Sequence, residues 1–215
     1  MWYKNVFMSG PNSSKGIKFI SLGELGTLTT GFPTHRLRGE IGAALPLVNV
    51  KDLERIHDES WQLSPIMVPD SDRVEKYRVG AGDIIVTARG ASLKSGLIPS
   101  RWNGAIISSN LIAIRLNEKL RPEILLVFLQ SAMGQQAIER RLSKSKLLNV
   151  TLRDLSEIEV PVPPMSEQTE LAELISIAQL QFEEAIHVAE VRRKLAHSIV
   201  LNKLRGDNTE KQSGG

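Results

Sequence analysis

The chain has 215 residues, of which 41% are hydrophobic and 24% charged, with no cysteine. That is ordinary globular usage, long enough to bury a core, and it excludes wholesale disorder, a disulfide framework and a thiolate metal site. Net charge is only +3, but it is unevenly placed: Ile84 to Arg153 holds 11 basic residues against 3 acidic ones, a candidate phosphate-binding surface.

The opening residues, Met1 to Asn12, have no apolar core of a secretory signal. The longest apolar run, Ile124 to Leu129, is far too short to span a bilayer. No membrane role is expected, and the location is read as cytoplasmic. Runs such as Leu45-Pro-Leu-Val-Asn-Val50, Asp83-Ile-Ile-Val-Thr-Ala88 and Asn110-Leu-Ile-Ala-Ile-Arg-Leu116 are short, rich in β-branched residues and bounded by turn formers, which predicts strands. Lys51 to Glu59 reads as a short helix. Arg121-Pro-Glu opens a longer one, with Pro122 in its first turn and Gly134 as its punctuation. Strands that come before and between helices point to an α+β (α/β) domain rather than a doubly wound sheet.

Asp154 to Pro164 reads as an edge strand, because its prolines remove ladder donors. Pro163-Pro164 then reads as a stiff spacer, and Ser166 as the N-cap of a final helix. From Glu167 to Leu204 there is no proline or glycine, so a helix of roughly 57 Å is expected. Leu171, Leu174, Ala178, Gln181, Ala185, Val188, Arg192, Leu195 and Ile199 alternate spacings of three and four, a heptad seam. Acidic residues come first along this helix and basic ones last. That suits the helix dipole and also makes the helix complementary to an antiparallel copy of itself. The expected organisation is a domain over 1–164, a helix over 165–205 and a polar, disordered tail over 206–215. A chain ending at Pro164 is expected to keep its fold.

Catalytic motifs are missing. There is no phosphate-binding or dinucleotide-binding glycine pattern and no His-Glu-x-x-His. The four histidines have no metal-ligand spacing, and no nucleophile stands beside a base. No catalytic residue and no metal ligand is assigned. DNA contact is better motivated. Basic, polar loops fall between the strands, and the residues suited to phosphates or base edges are Arg36, Arg38, Arg89, Ser92, Lys94, Ser95, Arg101, Lys144, Lys146 and Asn149.

The order of these features resembles the specificity subunit of type I restriction-modification enzymes. Gly82-Asp-Ile-Ile-Val-Thr-Ala-Arg-Gly90 is similar to that family's strand and turn, and Ile107-Ser-Ser-Asn-Leu111 and Arg121-Pro-Glu-Ile-Leu-Leu-Val-Phe-Leu-Gln-Ser131 come next in the family's order. Leu152 to Gln168, ending Pro-Val-Pro-Pro-Met-Ser-Glu-Gln, resembles the junction before its long helix. Leu22-Gly-Glu-Leu25 and Gly31 resemble its opening. The resemblance implies a non-catalytic subunit whose target recognition domain reads half of a split DNA site. It further implies that the helix docks methyltransferase subunits and that a restriction subunit joins through the complex. S-adenosylmethionine, ATP and magnesium would belong to those partners and not to this chain. The familiar subunit has two recognition domains and two helices, whereas this sequence has one of each. The chain is then either a natural half-subunit or a truncated product, and the charge-split helix favours a half-subunit, so an antiparallel homodimer reading a bipartite site is the expectation. The alternative is a stand-alone dimeric DNA-binding protein.

Overall fold

The computed structural model describes residues 16–34, 42–68, 72–90, 92–142 and 148–206. The elements run β1 (Lys18–Ser21), α1 (Leu22–Leu25), β2 (Gly26–Thr30), β3 (Ala43–Val48), β4 (Pro65–Val68), β5 (Ile84–Thr87), β6 (Arg89–Gly90), β7 (Ser95–Leu97), β8 (Ile106–Ile107), β9 (Leu111–Leu116), α2 (Pro122–Gln130), α3 (Ala132–Glu139), β10 (Leu148–Asn149), α4 (Leu152–Ser156), β11 (Glu159–Val162) and α5 (Met165–Gly206). The chain divides into two compact units, Met1–Ala172 and Glu173–Gly215. The first is a mixed α+β body; the second is helical.

The first unit is built on a four-stranded antiparallel sheet in the order β2-β9-β5-β7. Its side chains alternate between two cores. Ile84 and Val86 of β5 and Ile112 and Ile114 of β9 face Leu22, Leu25, Leu125, Phe128 and Leu129. Ile85, Leu111 and Ala113 face the other way, against Val48, Ile98, Trp102 and Ile107. Because both faces are covered, the two central strands read as unbroken apolar runs instead of alternating ones. A smaller sheet, β4-β3-β8, pairs β3 with β8 in parallel and with β4 antiparallel. It holds a third cluster around Phe32, Leu47 and Val68.

Two glycines explain why the chain passes where it does. Gly82 has φ +88°, a left-handed turn residue that delivers Asp83 to the start of β5. Gly31 lies so close to the chain beyond β8 that a Cβ would sit 2.0 Å from the Ser108 carbonyl oxygen.

The structure corrects several sequence expectations. The helix expected over Lys51–Glu59 is a shorter 3-10 segment, Val50–Arg55, closed by a capping box between Asn49 and Asp52. Asp52 is also buried and accepts a hydrogen bond from Trp61 Nε1 at 3.0 Å. The break after α2 falls at Ser131, whose hydroxyl caps α3 through the Gly134 amide at 3.2 Å. Gly134 therefore lies inside α3, where a Cβ would come within 2.0 Å of the Phe128 carbonyl oxygen. The edge strand begins only at Glu159; Leu152–Ser156 is a helical turn capped by Thr151 and Asp154. That strand pairs with β1, and Pro161 sits opposite Phe19 in a two-stranded sheet, an edge position that a proline tolerates.

The junction at Pro163-Pro164 is not a spacer. Helix α5 starts at Met165, so Ser166 lies within its first turn. The Gln168 amide donates to the Pro164 carbonyl at 3.0 Å. The Gln168 side chain is 1% exposed. Its Oε1 accepts from the Arg121 amide at 2.9 Å, and its Nε2 donates to the carbonyls of Lys119 at 3.0 Å and Pro163 at 2.9 Å. One carboxamide thus binds the start of α2, the turn before it and the end of β11. Ala172, 2% exposed, ends the unit. The expected tail over 206–215 lies outside the described residues from Asp207 onward. Gln168→Ala is expected to lower stability by about 2–3 kcal/mol in urea denaturation, because it leaves buried backbone groups unpaired. A chain ending at Ala172 should melt cooperatively, and one ending at Pro164 at a clearly lower temperature.

Candidate nucleic-acid interface

One exposed polar surface of the first unit lies where the central strands end. β5 stops at Thr87, and the chain continues through Ala88 into β6. β6 pairs antiparallel with β10, setting Arg89 opposite Asn149 and Gly90 opposite Leu148. The Val150 amide donates to the Ala88 carbonyl at 2.8 Å. The Asn110 carbonyl, just before β9, accepts from the amides of Ala88 at 2.7 Å and Arg89 at 3.3 Å. Three segments far apart in sequence are therefore fixed together by backbone hydrogen bonds. Arg89, Asn110 and Asn149 are all exposed there. Arg89 Nε donates to Asn149 Oδ1 at 3.4 Å, across 60 positions of sequence.

The residues expected to contact DNA divide into three groups. Arg89 and Asn149 meet, and Ser92 is exposed on the turn after β6. Lys94 and Arg101 have partners within the unit, and the Ser95 hydroxyl is turned inward. The Lys94 ammonium is paired with Glu54, which holds that carboxyl below its usual range, chiefly through the hydrogen bond. The Lys94 backbone also exchanges hydrogen bonds with Thr87. The Ser95 hydroxyl is buried and has no partner among the described residues. The Arg101 guanidinium donates to the carbonyls of Ile56 and Asp58 and to Glu59, and lies 5.3 Å from the Trp102 ring centroid. Arg36, Arg38, Lys144 and Lys146 lie outside the described residues.

Sequence reading missed Asn110. In sequence it reads only within Ile107-Ser-Ser-Asn-Leu111 as part of the family's order, and the local sequence does not show that β6 hangs from the Asn110 carbonyl.

A cleft of about 180 Å³ opens elsewhere on this unit, between β2, β9 and the 3-10 segment Asp72–Tyr77. Two of its cations are already held by carboxylates. Arg115 donates to both Asp83 oxygens, at 2.9 and 2.6 Å, and the Asp83 hydrogen bonds hold the guanidinium charged beyond its ordinary range. Arg78 donates to Glu75 at 2.7 Å and to the Gly104 carbonyl at 2.8 Å. Asp83 also accepts from the Gly80 amide at 2.7 Å. This Gly-Asp turn is therefore a structural clasp between β5 and β9.

Among the described residues, no helix is long and apolar enough to cross a membrane. Along α5, every residue of the expected seam, from Leu171 to Ile199, is exposed. Further apolar side chains lie off that seam: Ile177, Phe182 and Val191 are 55%, 59% and 50% exposed.

The sequence matches the model of the type I restriction modification DNA specificity domain over residues 15–187. Solved structures share the fold. One is a chain of a type I R-M system whose structure concerns complex assembly and conformational transition, 21% identical with a TM-score of 0.61. It is matched over 91% of this chain and 47% of its own length. Another is the type I restriction-modification S subunit from M. genitalium, 18% identical, TM-score 0.60, over 88% of this chain and 46% of that one. A third is the HsdS subunit from Thermoanaerobacter tengcongensis, 20% identical, TM-score 0.51, over 80% and 39%. The chain spans about half the length, or less, of these relatives. No curated protein matches it.

The two kinds of charged residue should separate in a stability assay. Asp83→Ala removes a buried carboxylate and its three hydrogen bonds, and is expected to cost about 2–3 kcal/mol, with the exposed Arg115 partner limiting the loss. Arg89→Ala touches only the surface and should stay within about 0.5 kcal/mol of wild type. Urea unfolding of both variants checks this.

Proposed function

Because the chain belongs to the type I restriction modification DNA specificity domain family, we propose that its first unit reads one half of a bipartite duplex DNA site and that α5 joins it to its partners. The family's part in restriction-modification is sequence recognition, not catalysis. The family match over most of the chain carries this reading. The fold adds a physical reason: exposed Arg89, Asn110 and Asn149 lie together where β5 and β9 meet the β6–β10 pairing, and Ile84 to Arg153 bears 11 basic residues against 3 acidic ones. Base edges are read by such side chains, while lysines and arginines around them contact phosphates.

The partner surface is α5. Its first part, Met165 to Glu190, bears six acidic residues and no basic ones; Val191 to Gly206 bears five basic residues and no acidic ones. An antiparallel copy would set acid against base along the whole helix, which favours a homodimer. The apolar surface is wider than a two-stranded seam, since Ile177 and Val191 flank it on one side and Phe182 on the other. A second helical partner can be covered as well. Methyltransferase subunits are proposed for that place, with the restriction subunit joining through them. S-adenosylmethionine, ATP and magnesium would enter with those subunits.

Two experiments test this. The purified chain should bind duplex DNA with an affinity that falls steeply with salt and should retain a methyltransferase subunit from its own cells in near-stoichiometric amount. A chain that binds neither sinks the proposal. Leu174→Asp with Leu195→Asp should turn a dimer into a monomer in sedimentation; a variant that stays dimeric moves the interface off the helix.

A further inference from the structure

We propose that Arg89 reads a guanine in the major groove and that Asn149 is its positioning residue, which makes this pair a guanine reader and not an adenine reader. The inference rests on the DNA-recognition reading above and names what one point of that surface selects. Both side chains are exposed at the β6–β10 pairing, where the backbone is fixed by the Asn110 and Ala88 carbonyls. Arg89 Nε–H is directed to Asn149 Oδ1. With Nε engaged, the side-on fork of the guanidinium is closed. The two terminal nitrogens remain, and they have no hydrogen-bond partner among the described residues. They form the end-on fork, two parallel N–H donors.

Each base pair presents a distinct pattern in the major groove. Guanine offers two adjacent acceptors, O6 and N7, which match two donors. Adenine offers one acceptor and one donor, N7 and N6, so the fork meets a like group. Asparagine is the usual adenine reader, but it needs its oxygen for the N6 amine. Here that oxygen is turned to Arg89, and only the Nδ2 donors are left. The pair therefore presents donors alone, and the acceptor-only edge of guanine is its complement. The 3.4 Å contact with Asn149 favours one orientation of the guanidinium, and a planar fork that is already oriented loses less entropy when it closes on a base.

The experiment is selection of the full chain on random-sequence duplex DNA, run in parallel with Arg89→Lys and Asn149→Asp. Melting curves of the variants are taken alongside. Wild type should enrich a motif with at least one invariant guanine. Arg89→Lys keeps the charge and loses the fork, so preference at that one guanine should fall by about tenfold or more while the other positions persist. Asn149→Asp still accepts from Nε and should keep the guanine. A second measurement needs no variant: placing 7-deazaguanine, which lacks the N7 acceptor, at that position should weaken wild-type binding, whereas inosine, which keeps O6 and N7, should not. An unchanged motif for Arg89→Lys, or uniform weakening at every sequence, makes Arg89 a phosphate contact and overturns the assignment. So does indifference to 7-deazaguanine at every selected guanine. A wild-type chain that binds DNA and enriches no motif overturns the recognition reading itself, and the assignment with it.

Discussion

Coverage of the central sheet on both faces is the constraint on which the rest of this molecule depends. Ile84, Ile85 and Val86 of β5 are all fully buried, as are Leu111, Ile112 and Ile114 of β9. Strands of this kind leave no face on which to mount polar chemistry. Polar function is pushed to the strand ends and the turns between them, and charge on the sheet survives only where it is paired. Arg115 on β9 shows the second effect: both of its donating nitrogens bond Asp83, itself 5% exposed. Arg89 shows the first: two residues past the end of β5, it is free to face solvent.

The same constraint explains why raw charge is a poor guide to which cations are available. The segment from Ile84 to Arg153 carries its positive excess in sequence, yet several of its cations are tied into the fold. Arg101 closes the loop after the 3-10 segment Val50–Arg55. Lys94 is joined to Glu54, whose carboxyl lies outside that segment. Arg141 and Arg153 both reach Glu157. Counting charges within a window cannot see partners that arrive from outside it. Among the described residues the geometry leaves Arg89 with an open guanidinium end, and its partner there is a neutral amide that does not cancel the charge.

Much of the fold was legible because its elements obey local rules. The strands at Leu45, Asp83 and Asn110 were bounded by turn formers and buried deeply enough to read as apolar runs. Pro122 marked the start of α2 as a first-turn residue should. What the sequence hid was long-range pairing. Gly134 looks like a helix breaker, but its missing side chain serves the close approach of α3 to the Phe128 carbonyl. Pro163-Pro164 looks like a spacer because nothing local reveals that Gln168, four residues on, reaches back to three backbone groups. The pairing of Arg89 with Asn149 is likewise invisible to periodicity. It joins two-residue strands 60 positions apart, too short to carry any alternation.

Gln168 bears on how the elements are joined as well as on stability. A helix that followed a bare Pro-Pro spacer would have no side-chain tie to the domain before it. Here the first turns of α5 belong to the same compact unit as the central sheet. The carboxamide that fixes them also holds Arg121, at the head of α2, and α2 carries Leu125, Phe128 and Leu129 into the core beneath β5. The chain from β5 to Arg89 is thus joined to the start of α5 through packed apolar side chains and one neutral hydrogen-bonded group. None of those contacts depends on a surface charge, so salt, which screens exposed charges, should leave this connection intact.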